Sequence, residues 1–202
     1  MKLENGIASK LVSSKEYASG LSRLIADSIA TNGEGCEVEF DSALEDAVTL
    51  LQEIKVKGNK VLLIGNGGSA ALVAHMQNDL CKCNHIRSMV FTEASLLTAL
   101  TNDEGYDIAY AYQIGLWAEE GDLLLAVSSS GQSENIIQAA RVARQRGMKI
   151  LGFSGFGTEN ALRQMGDINI YIPSTSYGMV EIGHSLLCHY LTDRIAECNN
   201  EQ

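Results

Sequence analysis

The chain has 202 residues, 46% of them hydrophobic, enough to bury a substantial core in one domain. A formal net charge of −10 at pH 7, with no cluster of lysine and arginine, repels phosphodiester backbones and excludes a direct nucleic-acid binder. One proline and few aromatics argue against a turn-rich β-sandwich and for helices interleaved with short strands.

In chain order, residues 4–31 read as a helix with Leu21, Leu24, Ile25 and Ile29 on one stripe, broken at "TNGEG". Residues 38–54 read as a second, amphipathic helix, with Phe40, Ala43, Leu44, Ala47, Val48, Leu51 and Ile54 at helical spacing. Two helices in residues 1–57 are therefore expected ahead of the first strand, with an α/β core over 58–202. "NKVLLIG" (59–65), "SMVFT" (88–92), "DLLLAVSSSG" (122–131), "MKILGFSG" (148–155) and "DINIYIP" (167–173) are short apolar runs that read as buried parallel strands. Between the third and fourth lies a helical stretch, 132–147, with Gly147 as its stop; a last helix is expected over about 178–197. The alternation predicts a doubly wound parallel sheet, flavodoxin-like or Rossmann-like, in a single domain spanning 1–202 without linker or repeat.

No apolar run approaches the length of a membrane span. Five cysteines, an odd number, with no signal peptide are expected to be reduced thiols in a cytoplasmic protein. Cys81, Cys83 and His85 alternate along a short connector, so they read as incidental rather than as a metal fragment.

In open α/β sheets ligands gather at the carboxyl ends of the strands, and two strands here end in small, hydroxyl-rich loops. In "SSSGQSEN" (128–135), Ser128, Ser129, Ser130 and Ser133 supply hydroxyls. Gly131 allows close backbone approach, and the following helix points its N–H groups back at the loop. Such a loop can cradle a phosphate without a basic side chain. The other loop, "GNGGS" (65–69), does not fit G-x-G-x-x-G, and no P-loop motif occurs, which makes dinucleotides and nucleoside triphosphates poor ligands. It leads into a helix that carries His75 and Asp79 at i and i+4, where both side chains can converge on one group.

"GNGGSA", "TNDEGY" (101–106) and "EGDLLLAVSSSGQSENII" (120–137) together resemble the sugar isomerase (SIS) domain, in its phosphoheptose isomerase branch, over essentially the whole chain. The resemblance implies an aldose–ketose isomerase that interconverts sedoheptulose 7-phosphate and D-glycero-D-manno-heptose 7-phosphate through an enediol. It also implies a homotetramer with active sites between subunits. Asn66, Gly67, Gly68 and Ser69 then match the sugar-contacting loop, Asp103 a hydroxyl-binding aspartate, and Ser128, Ser129, Ser130 and Ser133 the phosphate loop. His75, Asp79, Glu181 and His189 match the positions that bind Zn2+ or transfer protons, with Asp79 and His189 as base and acid in either order. His184, at i+3 from Glu181, is the local competitor of His189.

The branch carries glutamate where Asp79 stands and glutamine where Glu181 stands. Its acid and arginine ahead of the last helix have no counterparts at Gly178, Met179 or Val180, and Cys83 replaces an arginine. These departures bear on the substrate more than on the reaction type. Two other readings fit the same domain: a non-catalytic relative that binds a replication-initiator protein, and a phosphosugar sensor. The first would lack the histidine and acid, which are both present; the second would need a DNA-reading helix-turn-helix, for which no basic segment exists.

Overall fold

The computed structural model describes residues 13–200. Its first half contains α1 (Ser14–Ala26), β1 (Ile29–Asn32), β2 (Glu37–Val38), α2 (Phe40–Lys57), β3 (Val61–Gly65), α3 (Gly68–Lys82) and β4 (Ser88–Val90). The second half contains α4 (Ala94–Asp103), α5 (Tyr106–Trp117), β5 (Leu123–Ser128), α6 (Glu134–Gln145), β6 (Lys149–Ser154), β7 (Ile168–Tyr171) and α7 (Tyr177–Asn200). The five predicted strands are present, each at or inside its apolar run.

The strands form one sheet in the order β2-β1-β7-β6-β5-β3-β4. Strands β4, β3, β5, β6 and β7 are mutually parallel, while β1 runs antiparallel to both β7 and β2. Helices cover both faces, and the central parallel strands β3, β5 and β6 are almost wholly buried. Leu63, Leu125, Leu151 and Phe153 pack with residues of α2, α3 and α7 on one face. Leu62, Ile64, Leu124 and Ile150 pack with residues of α5 and α6 on the other.

Two expectations about the first sixty residues are corrected. The helix expected over 4–31 ends at Ala26, its residues 4–12 lying outside the described chain, and Ile29 belongs to β1. A hairpin therefore separates the two leading helices. Backbone pairing of Ile29–Asn32 with Ile168–Tyr171 supplies the ladder that the open edge of β7 needs, and this outweighs the helical spacing of the side chains. The Asn32 carboxamide closes the turn by accepting from the N–H groups of Glu34 and Cys36, each at 3.0 Å. The second helix begins at Phe40 rather than 38, where the Glu39 side chain accepts from Asp41 and Ser42 N–H and caps it. Residues 94–117, for which no element is predicted, form α4 and α5; Glu93 caps α4 in the same way.

The amino ends of β3 and β5 are tied by a buried charge network. Asp122, fully buried, accepts from the N–H groups of Lys60 and Glu119, both at 2.9 Å, and pairs with the Lys60 ammonium at 2.7 Å. The opposite, carboxyl ends of these two strands are Gly65 and Ser128. Since β3 continues to β4 on one side while β5 continues to β6 on the other, the strand order reverses between them, which is where ligands bind in such sheets.

Candidate active site

The serine loop turns at Gly131, whose φ of 62° lies in the left-handed region; a Cβ there would run into the Asn160 carboxamide. Asn160 is buried and donates to Ser154 Oγ (3.1 Å) and Gly157 O (2.9 Å), so the loop rests on a braced floor. Ser133 caps α6 by position but makes no side-chain capping bond; its hydroxyl accepts from Ser128 Oγ at 3.4 Å and keeps its own O–H for a ligand, with the first turn of α6 directed at the loop. Ser128, Ser129, Ser130 and Ser133 line a cavity of about 140 Å³ together with Asn66, Ser69, Tyr177 and Glu181. Among the described residues no lysine or arginine lines it, so an anion held there is met by hydroxyls and N–H dipoles.

The facing loop is held from both sides. Tyr110 donates to Gly65 O at 2.6 Å, and Tyr106, one turn earlier on α5, donates to Asn66 Oδ1 at 2.7 Å. The Tyr110 hydroxyl is pushed up to about 12 by burial, so it remains a donor. Gly67 takes a φ of 53° ahead of α3, whose N-terminus has no side-chain cap. The Glu181 carboxylate lies against Gly68, where a Cβ would stand 2.8 Å from its oxygens. Glycine at 68 thus lets an acid from α7 sit over the start of α3.

Farther along the same two helices, His75, Asp79 and His189 converge. Asp79 Oδ2 lies 3.5 Å from His75 Nε2 and 3.7 Å from His189 Nδ1, and the two imidazoles meet edge to face with centroids 5.1 Å apart. One ligand atom from each residue lies within 4.8 Å of the others, a set that could hold a divalent metal. Glu181 is placed beside Gly68 in the serine-lined cavity, two helical turns from His189, and does not join the three.

His184 is core. It is fully buried, its Nε2 lies 3.1 Å from Ser154 O, and Phe153 packs on its ring. Burial lowers its pKa to about 4, and its Nδ1 has no hydrogen-bond partner among the described residues, as suits a neutral ring. Cys188, behind His189, is buried and its thiol is pushed up to about 12. Asp103 ends α4 exposed, accepts from the neighbouring Asn102 at 2.8 Å, and is not among the residues lining the cavity.

Comparison with known proteins adds the family. Residues 26–155 match the model described as SIS domain. The chain is 37% identical over 152 residues to a phosphoheptose isomerase of Aliarcobacter butzleri, covering 72% of this chain and 80% of that one. It is 33% identical over 177 residues to that of Shewanella denitrificans, covering 84% and 90%. The solved phosphoheptose isomerase of Francisella tularensis superposes with a TM-score of 0.79 at 26% identity, over 92% of this chain and all of that one. This chain belongs to the SIS domain family, in its phosphoheptose isomerase branch. It is accordingly an aldose–ketose isomerase of a phosphorylated sugar.

Three residues of this SIS site escaped the sequence reading. Tyr106 and Asn135 stand inside motifs quoted for the family, at the last residue of "TNDEGY" and in "SSSGQSEN", yet only the fold shows that both reach Asn66. Tyr177 reaches the serine cavity from the start of α7 and packs on Phe156; no sequence signal marked it.

Proposed function

We propose that this protein interconverts sedoheptulose 7-phosphate and D-glycero-D-manno-heptose 7-phosphate through a cis-enediol, as a one-domain enzyme of the cytoplasm. The observation that carries this reading is that both halves of a site lie along the α3–α7 pair, two turns apart. Ser69 and Glu181 mark the phosphate end; His75 and His189 mark the other, six and eight residues on, a rise of roughly 9 to 12 Å. A seven-carbon chain anchored by its terminal phosphate has the reach to bring its carbonyl to the second end.

There the reaction needs a base at the carbon beside the carbonyl and an acid at the carbonyl oxygen. Asp79 removes the proton from that carbon and His189 supplies one to the carbonyl oxygen, giving the enediol; Asp79 then returns a proton to the former carbonyl carbon while His189 takes one from the hydroxyl on the neighbouring carbon, which becomes the new carbonyl, so both residues end as they began. His75 approaches the same Asp79 oxygen, Oδ2, as His189 does. The donor set also suits Zn2+, since the 3.5 and 3.7 Å separations are close to the roughly 3.3 Å edge of a tetrahedron with bonds of about 2.0 Å. Bound by His75, Asp79 and His189, the ion would supply Lewis-acid polarisation of the carbonyl in place of the proton from His189, these side chains then serving as its ligands. A homotetramer completes the proposal, in keeping with the exposed apolar residues on α5 and α7.

The test is incubation with sedoheptulose 7-phosphate in deuterated water. Aldose product with deuterium at the carbon next to its carbonyl is expected. Absence of both product and exchange with six- and seven-carbon ketose phosphates would sink the reading.

A further inference from the structure

We infer that Asn135 and Tyr106 are positioning residues that act through Asn66, fixing which face of its carboxamide meets the sugar; this rests on the isomerase reading above. The side chains of Asn66 and Asn135 form a closed two-bond ring, each Nδ2 donating to the other's Oδ1 at 2.9 Å. Tyr106 Oη donates to the same Asn66 Oδ1 at 2.7 Å. A carboxamide offers two acceptor lone pairs and two N–H donors. On Asn66 both lone pairs and one N–H are engaged, so one N–H is left for the cavity that Asn66 lines.

The consequence is chemical. Asn66 meets a ligand as a donor, which suits a sugar oxygen that accepts, such as a hydroxyl oxygen of the chain that leads away from the anchored phosphate. It does not suit a hydroxyl that must itself donate. The support is also placed to be rigid. Asn135 is 2% exposed and sits in the first turn of α6, directly after the serine loop. Tyr106 shares its helix face with Tyr110, which anchors the Gly65 carbonyl one turn on. One polar chain therefore ties the phosphate loop to the sugar loop, from helices on the sheet face opposite α3 and α7.

A double-mutant cycle tests this. Tyr106→Phe and Asn135→Ala are each expected to lower kcat/KM about tenfold, mostly in kcat, and to leave the affinity for inorganic phosphate within twofold. In an Asn66→Ala background each should change kcat/KM by less than twofold, because the group they orient is gone. Effects that multiply fully in that background, or a loss of phosphate affinity equal to the loss of turnover, would overturn the inference. Tyr106 is 44% exposed, so its phenylalanine variant decides the cycle if Asn135→Ala fails to fold. If the wild type shows no isomerisation, the functional reading fails by itself, and the same cycle on heptose 7-phosphate affinity still decides the role of the pair.

Discussion

Two histidines of α7 that stand five residues apart have opposite environments, and their chemistry follows from that difference. His189 is about half exposed and faces a carboxylate, while His184 is sealed beneath the sheet with one backbone acceptor. His189→Ala and Asp79→Asn are each expected to cost about 10²- to 10⁴-fold in kcat with sugar-phosphate affinity nearly unchanged, read by steady-state kinetics and calorimetry. Asp79→Glu, which restores the carboxylate usual in the branch, is the probe of whether the site is built around the shorter acid. His184 affects stability instead. Its folded pKa of about 4 lies below the 6.5 of a free imidazole, so the unfolded chain binds the extra proton between these values. Its contribution is therefore complete above pH 6.5 and is lost as pH falls toward 4, by up to about 1.4 kcal/mol per pH unit. Thermal unfolding followed from pH 7 to 4.5 should show this slope, and His184→Leu should flatten it.

At the level of elements, legibility depended on how each segment buries itself. Strands β3, β5 and β6 announce themselves as unbroken apolar runs, because every residue from Val61 to Gly65 and from Leu123 to Ser128 is buried on both faces. Strand β1 gives no such signal: Ile29–Asn32 is a short antiparallel strand whose identity lies in its pairing with β7 and β2, invisible in local spacing. The site divides in the same way. The serine loop and the i, i+4 pair of His75 and Asp79 could be read from sequence, since each is local. That Glu181 lies over Gly68 and that Tyr106 reaches Asn66 depends on helix packing across the sheet. The two ends of β3 and β5 also separate function from stability. Asp122→Ala leaves the Lys60 ammonium with Glu119 alone and takes the acceptor from the Lys60 and Glu119 N–H groups, and should cost about 3 to 5 kcal/mol in denaturant unfolding. Phosphate affinity, which the proposed cradle sets at the other end of the strands, should stay at the wild-type value.

For the molecule as a whole, apolar surface remains after the fold is complete. Tyr112, Leu116 and Trp117 on α5 and Ile182 and Leu186 on α7 are exposed, and α1 contributes no fully buried residue. Light scattering at micromolar concentration is expected to give four times the chain mass, and Leu116→Glu with Ile182→Glu should shift it toward smaller species. A monomeric wild type would contradict this. The sheet margins decide how such an assembly can be joined. One ends in β2, two residues long and exposed, and the other in β4, three residues long. Margins that short give an incoming chain almost no ladder to extend, so copies of this protein cannot zip together strand to strand into open-ended fibres. The proposed tetramer would then be joined through helix faces, where the exposed apolar residues of α5 and α7 lie.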